Sequence, residues 1–573
     1  MKRTNLIFLL GLLALMSACA QQAEENYNGE WVGHLSNRQS FNFHVSLTQA
    51  EGDRYRLRIK NDTDLIDTVV RSTKPGQLHF DIDEQLFFKL DYTPDKNALG
   101  GFIQSGKFLY RVHFPKNNEH SYSGKWNAFM VDDGLQSDDI MLYVELMDDF
   151  GLVAFPFFGD QRFRGMWTWD FERDGNLLRF TDGNGGLNFV ADLQGDQIKL
   201  GIYLTDRLLT EVDLTHTNDG WEYRSDADPI PQDTRTPKAL EDGWATGHCV
   251  DFGVDPIPLN RMIDSISEGA LVNTHSVLIS KKNTLVFENY YGGWNGHIPH
   301  DLRSASKSIS SAVIGIALEE GILPSVETPV YDLLPQSYQY TKAGRKARIT
   351  LQHLLTMSSG LEVNGEANED RYQDPRTPNG WLQTVLEAPM VQEPGDYLDY
   401  GSANPFLLGV ALAEQLDLPL QDYMHEKLFA PLGIVNYINQ TDDTYQDPYF
   451  GGGMLLTSRD LLKFGQLFLN KGRWNDQQVL SEAWVAESFS IYGRLQDTRD
   501  KNEYGYLWWH DRYTVGNREI KTVEARGAGG QFIFIIPELE SVVVITSGNF
   551  RNRKGNQPRT ILKEYILPAM LAH

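Results

Sequence analysis

Ser304 and Lys307 stand three residues apart at the head of an apolar run, Ser308-Ile309-Ser310-Ser311-Ala312-Val313-Ile314-Gly315-Ile316-Ala317. The run has helical length, Gly321 closes it and Pro324 follows, which is how a helix stops. Residues i and i+3 of a helix share a face. The spacing therefore predicts a hydroxyl and an amine side by side, at the helix end whose dipole favours negative charge. A serine nucleophile needs a proton acceptor in reach and a positive field for its alkoxide. Without further context the same pair reads as an N-cap serine and a solvated lysine.

Other stretches supply the context. Leu302-Arg303-Ser304-Ala305-Ser306-Lys307-Ser308 is followed by Ile349-Thr350-Leu351-Gln352-His353-Leu354-Leu355-Thr356-Met357-Ser358-Ser359-Gly360-Leu361, then Lys427-Leu428-Phe429-Ala430-Pro431-Leu432-Gly433-Ile434, then Gly451-Gly452-Gly453-Met454 through Ser458-Arg459-Asp460. Gly527-Ala528-Gly529-Gly530-Gln531 leads to Pro537-Glu538 and the strand-like Val542-Val543-Val544-Ile545. In this order the motifs resemble the serine β-lactamase-like superfamily, in the branch of class C β-lactamases, family VIII esterases, DD-peptidases and 6-aminohexanoate-dimer hydrolases. The resemblance covers roughly 240–570.

Tyr400-Gly401-Ser402, set between Pro394-Gly395 and a helix-like stretch at 406–414, matches the family's Tyr-x-Asn or Tyr-x-Ser element. The resemblance makes Tyr400 the general base. A phenol is a poor base at neutral pH unless its anion is favoured, and a buried ammonium nearby favours it. Lys307 and Tyr400 would share a proton and take one from Ser304. Ser402 would line the same site.

The third element departs from the β-lactamases, which carry Lys-Thr-Gly or His-Thr-Gly. Here the sequence is Ala525-Arg526-Gly527-Ala528-Gly529-Gly530, and neither tripeptide occurs anywhere. The glycines still permit close backbone approach, so an N–H at Gly527, Ala528 or Gly529 would pair with that of Ser304 as an oxyanion hole. The missing lysine removes a usual partner of the β-lactam carboxylate. Arg526 is the candidate to substitute for it, and reads more readily as a surface or structural arginine. Gly-x-Ser-x-Gly is absent, so the nucleophile does not sit on an α/β-hydrolase elbow.

These residues imply acyl transfer to water through a Ser304 acyl-enzyme, on a small ester or amide, with no metal and no organic cofactor. A D-amino-acid-specific cell-wall peptidase and a catalytically silent envelope-binding lipoprotein are the rival readings.

The elements around this set divide the chain. Residues 1–19 read as an export signal. Lys2 and Arg3 start it, an apolar core at 6–16 is too short to span a bilayer as a stop-transfer helix, and Leu15-Met16-Ser17-Ala18-Cys19 resembles a bacterial lipoprotein box. Cys19 would carry lipid, and Ala20 after it implies the outer membrane, facing the periplasm or the cell exterior. Residues 20–26 would be a tether. Residues 27–224 read as all-β, sandwich or barrel. Phe41, Phe43, Val45 and Leu47 alternate with polar neighbours, as do Ile140, Leu142, Val144 and Leu146. Similar openings, Tyr27-Asn28-Gly29-Glu30-Trp31 and Tyr122-Ser123-Gly124-Lys125-Trp126, precede the two runs and suggest two related units. Trp31, Trp126, Trp167, Trp169 and the phenylalanines at 155–158 read as core. A polar, proline-rich stretch at 225–246 reads as a linker. Residues 247–573 form the α+β, β-lactamase-like (penicillin-binding transpeptidase-like) domain: an antiparallel sheet flanked by helices, with a helical lobe inserted.

Composition closes off some classes. Hydrophobic residues at 41% and charged residues at 23% are an ordinary globular balance, and a net charge of −25 opposes binding to nucleic acid. Cys19 and Cys249 are the only cysteines. If the first is lipidated, Cys249 is a free packing thiol. His297 and His300, in a Gly/Pro loop, read as structural rather than as metal ligands.

Overall fold

The computed structural model describes residues 29–34, 42–61, 64–74, 77–93, 95–128, 139–147, 151–158, 171–217, 232–374, 377–444, 446–496, 498, 501–550 and 552–572. The signal segment with Cys19, the tether, Trp167, Trp169 and the first part of the linker lie outside these residues.

Among the described residues, sixteen strands make up the N-terminal region. They are β1 (Gly29–His34), β2 (Asn42–Gln49), β3 (Arg54–Lys60), β4 (Asp64–Arg71), β5 (Leu78–Asp81), β6 (Leu86–Tyr92), β7 (Ala98–Ser105), β8 (Phe108–Asn118), β9 (Ser121–Asn127), β10 (Asp139–Met147), β11 (Gly151–Phe158), β12 (Phe171–Asp174), β13 (Leu177–Asp182), β14 (Leu187–Gln194), β15 (Gln197–Leu204) and β16 (Arg207–Thr217). Strict alternation builds them: in Arg-Tyr-Arg-Leu-Arg-Ile-Lys of β3, only Tyr55, Leu57 and Ile59 are buried. All pair antiparallel: eight of them, in the order β4-β3-β2-β9-β8-β7-β6-β5, belong to an eleven-stranded sheet, and the other eight form a sheet of their own in the order β11-β10-β1-β16-β15-β14-β13-β12.

The two orders are one pattern. Taken as two runs of eight, β1–β8 and β9–β16, each run has given its first strand to the other. β9 lies between β2 and β8, with Trp126 opposite Phe43. β1 lies between β10 and β16, with Trp31 opposite Leu142 and His216. Trp31 and Trp126 are both buried in one core that the sheets share.

The remaining strands are β17 (Ala245–Thr246), β18 (Thr274–Lys281), β19 (Thr284–Tyr290), β20 (His300–Asp301), β21 (Tyr437–Gln440), β22 (Met454–Leu456), β23 (Arg473–Trp474), β24 (Gln477–Gln478), β25 (Gly493–Arg494), β26 (Glu503–Tyr504), β27 (Trp509–Val515), β28 (Arg518–Gly527), β29 (Gln531–Ile536) and β30 (Ser541–Ser547). Nine of them form a sheet in the order β17-β19-β18-β30-β29-β28-β27-β26-β25, antiparallel except where β17 joins β19. Lys282 and Asn283 turn β18 into β19, both with positive φ, as a two-residue hairpin demands. β29 and β30 are apolar through their central residues and buried throughout, because helices cover both faces of the sheet. Helices Pro256–Ser267 and Leu567–Leu571 pack on one face with Cys249, whose thiol is pushed up by burial. Helices Lys307–Glu319 and Ser458–Leu469 lie on the other, and the lobe at 322–436 continues that core.

The two regions are joined by more than chain. β21 pairs with β8 (Ile438 opposite Tyr110), β22 with β21, and β20 with β22. Trp294, Ile298, Ile438 and Leu455 are buried in the N-terminal core. From Gln232 onward the proline-rich stretch lies on the C-terminal region: Asn289 Nδ2 donates to the Asp233 carbonyl, and Arg459 pairs with Asp242.

Candidate active site

Ser304 lies in a 3₁₀ turn, Arg303–Ser306, and Lys307 is the first residue of the helix that continues from it. The turn is held open in an unusual conformation. Arg303 has φ 48°, and its N–H donates to Asp301 Oδ1 at 2.9 Å. A left-handed non-glycine residue is costly, and here it immediately precedes the serine. Gly321, with φ 73°, terminates the helix as the sequence predicts.

Lys307 is fully buried, and its surroundings are polar only at the tip. Nζ donates to Ser304 Oγ at 2.7 Å, to Ser402 Oγ at 3.0 Å and to the Gly451 carbonyl. Burial lowers its pKa to about 8, and the Glu369 carboxylate acts against that shift. An amine with that pKa still carries its proton in most molecules at pH 7, but its free-base fraction is far larger than that of an ordinary lysine, and the free base can accept the serine proton.

Tyr400 and Ser402 arrive from the segment before helix Ala403–Ala413. Gly401 between them is required for packing: a Cβ there would lie 2.4 Å from Val363 Cβ. The Tyr400 ring is centred 5.4 Å from Lys307 Nζ and packs against Trp509 and Tyr504. The structure thus brings Ser304, Lys307, Tyr400 and Ser402 together.

The glycine-rich third element reaches the same place. β28 ends at Gly527, where a Cβ would lie 2.1 Å from the Leu302 carbonyl and 3.1 Å from the Ala305 nitrogen. The strand end therefore abuts the backbone on both sides of Ser304. Ala528, exposed, and Gly529, φ 83°, form the turn that follows. Arg526 is structural and largely buried. It pairs with Glu524 at 2.7 Å and Asp511 at 2.6 Å and stacks on Trp509. It is held by two carboxylates, as the structural reading of it requires.

Two participants were missed in the sequence. Glu369, the first residue of the short helix Glu369–Tyr372, accepts from Ser402 Oγ at 3.0 Å and from the Tyr449 hydroxyl at 2.7 Å. Nothing in its local sequence marks it beyond Asn368 as an N-cap. The Gly451 carbonyl is the other; the triple glycine was read only as part of the resemblance. His300 hydrogen-bonds His275 at 2.8 Å against Trp294, and its burial pushes its pKa down. At His297, in the same loop, the backbone carbonyl accepts from the Asn436 side chain.

A buried lysine on a serine, both at a helix head beside a glycine-lined strand end, defines a serine hydrolase site of the β-lactamase-like type. The family model described as Beta-lactamase matches residues 259–567, and the chain belongs to that family. The chain is similar to the 6-aminohexanoate-dimer hydrolase of Paenarthrobacter ureafaciens, 24% identical over 289 residues that span 47% of this chain and 71% of that one. Among solved structures it is similar to a family VIII carboxylesterase (14% identical, TM-score 0.44, 55% of this chain and 99% of that one). It is also similar to an octameric penicillin-binding protein homologue from Pyrococcus abyssi (20% identical, TM-score 0.42, 55% and 77%).

Proposed function

We propose that the protein is an exported serine hydrolase that cleaves an ester or amide bond through a Ser304 acyl-enzyme. The 2.7 Å contact between Ser304 Oγ and a buried Lys307 carries this reading. Ser304 Oγ attacks the carbonyl carbon as its proton passes to the Lys307–Tyr400 pair. The tetrahedral oxyanion is met by backbone N–H groups of Ser304 and of the 527–529 turn. Collapse breaks the bond to the leaving group, which takes the proton back. Water then attacks the acyl-enzyme, giving up a proton to the same pair, and Ser304 regains its hydrogen as the acid leaves.

The absence of Lys-Thr-Gly, and an Arg526 already engaged by Glu524 and Asp511, favour an esterase or amidase over an enzyme built around a β-lactam carboxylate. The relative named as a dimer hydrolase supports the same class. Export and a lipid anchor on Cys19, in the outer membrane, belong to the proposal on the strength of the N-terminal sequence alone.

The test is hydrolysis of a short-chain p-nitrophenyl ester by the form lacking residues 1–19, beside Ser304→Ala. Activity that survives the substitution ends the acyl-enzyme reading. Stable labelling by penicillin would move the assignment to a peptidase.

A further inference from the structure

The family match begins at residue 259, so nothing in it gives a role to β1–β16. Two routes of contact run from those strands to the same ammonium group. The first is backbone. β8 is longer than its neighbour β9, whose ladder with it covers only residues 116–118. The free length of β8 takes β21 instead, with Asn439 opposite Leu109 and Gln440 opposite Phe108. One residue beyond the ladder, the Thr441 N–H donates to the Lys107 carbonyl at 2.7 Å. Gln440 in turn holds the triple-glycine loop: its N–H donates to the Gly453 carbonyl, and its own carbonyl accepts from Tyr449. Gly453 has φ 79°, and a Cβ on it would lie 2.6 Å from Gln440 Cβ, so the loop has one fit. At its other end the Gly451 carbonyl receives Lys307, while the Met454 carbonyl receives the Leu302 N–H two residues before Ser304.

The second route is through side chains. Lys107 Nζ sits 4.4 Å above the Trp381 ring. Trp381 meets Tyr449 edge to face, Tyr449 donates to Glu369, Glu369 accepts from Ser402, and Ser402 accepts from Lys307. The start of both routes is itself clamped. The Asn184 carbonyl accepts from the N–H groups of Lys107 and Phe108, and a Cβ on Gly106 would lie 2.5 Å from the Gly186 nitrogen. The Asn184 side chain reaches Gln440 at 3.4 Å.

We propose that the N-terminal β region is a working part of the serine site, with Lys107 and Asn184 as positioning residues that hold the Gly451–Gly453 loop and, through it, the Lys307 ammonium against Ser304. The inference rests on the serine hydrolase reading and adds to it a structural partner that lies outside the family match. A spacer between membrane and enzyme would not need to share a ladder with the loop beside the nucleophile.

The test uses the chain lacking residues 1–19, with Lys107→Ala, Lys107→Arg and Asn184→Ala beside Val69→Ala, a control on the exposed face of β4. The readouts are kcat and KM on a p-nitrophenyl ester, the rate of fluorophosphonate labelling, the pH of the rising limb, and the melting temperature. Displaced positioning costs about 10- to 100-fold in rate. Lys107→Ala and Asn184→Ala are therefore expected to lower kcat and the labelling rate by about that factor, with KM nearly unchanged and the rising limb displaced, while Lys107→Arg restores most of the rate. Unchanged kcat and pH limb in folded Lys107→Ala and Asn184→Ala would overturn the proposal. So would a loss that only follows the fraction of folded protein. Neither result touches the acyl-enzyme reading, which fails only if Ser304→Ala stays active.

Discussion

Lys307 and Glu369 face each other across a single hydroxyl. Ser402 Oγ accepts from the ammonium at 3.0 Å and donates to the carboxylate at 3.0 Å. The carboxylate is thus kept one hydrogen bond away from the amine it acts on. Direct contact would hold the proton on the lysine more firmly; the intervening serine weakens that hold.

That arrangement sets a pH dependence. The neutral lysine is the base, so kcat/KM should rise with pH through about 8. Burial pulls the pKa down and Glu369 pulls it up. The Tyr400 ring, the Ser304 and Ser402 hydroxyls and the Gly451 carbonyl complete the surroundings of Nζ, and the Asp301–Arg303 pair lies on the adjoining turn. Glu369→Gln removes the raising influence, so the rising limb should move to lower pH. A pH–rate profile checks this, and a limb that stays in place or moves up would refute it.

The buried lysine should also be costly to the fold. Its pKa of about 8 in the folded protein lies below its ordinary 10.5. Below pH 8 both folded and unfolded chains carry the proton, and the folded state bears the full cost, on the order of 3 kcal/mol at about 1.4 kcal/mol per unit. The cost fades as pH rises from 8 to 10.5. Lys307→Met gives up hydrogen bonds to Ser304, Ser402 and Gly451 but removes the charge. It should be inactive yet more stable than the native chain at pH 7, by about 1–2 kcal/mol, with the advantage shrinking toward pH 10. Urea melts at the two pH values measure both.

Gly527 has no room for a side chain beside Leu302 and Ala305. Gly527→Val must push the strand end away from the Ser304 turn, and with it the oxyanion donors. A loss in kcat of about 100-fold or more is expected, with smaller change in KM. Steady-state kinetics on the purified variant decides it; a variant of native kcat would remove the 527–529 turn from the site.

Arg459 is 6% exposed and grips two carboxylates from distant segments, Glu288 at the end of β19 and Asp242 in the proline-rich stretch. Removing it leaves the buried Glu288 side chain with the Tyr290 hydroxyl but without its guanidinium partner. Arg459→Met should therefore cost about 3–5 kcal/mol in urea unfolding. A cost under 1 kcal/mol would show the pairs to be dispensable.

The nucleophile was legible because its chemistry is local: Ser304 and Lys307 are three residues apart, and helix geometry alone juxtaposes them. The helix stop at Gly321 and the hairpin at Lys282-Asn283 were equally local. Glu369 was not legible, since its role comes from meeting Ser402 and Tyr449 across a tertiary packing of aromatic rings. The pairing of β8 with β21 was hidden for the same reason, being a contact between strands more than 300 positions apart, Tyr110 and Ile438. The division at a linker followed composition, which records where the chain is polar and not where sheets join. The paired Tyr-x-Gly-x-Trp openings marked equivalent strands, but alternation cannot say which sheet a strand enters.

That exchange of strands has a consequence for how the chain is made. β1 emerges from the ribosome first, yet both its neighbours, β10 and β16, come after the whole of β2–β8 and β9. β9 must leave its own run to close the earlier sheet before β10 is in place. The eight N-terminal strands of the first sheet can therefore pair during synthesis, while the second sheet waits with its opening strand already made and unpaired. Such late, distant pairing is slow. A chain cut between β8 and β9 would leave two halves, each holding the strand the other lacks, able to complete their sheets only by finding one another.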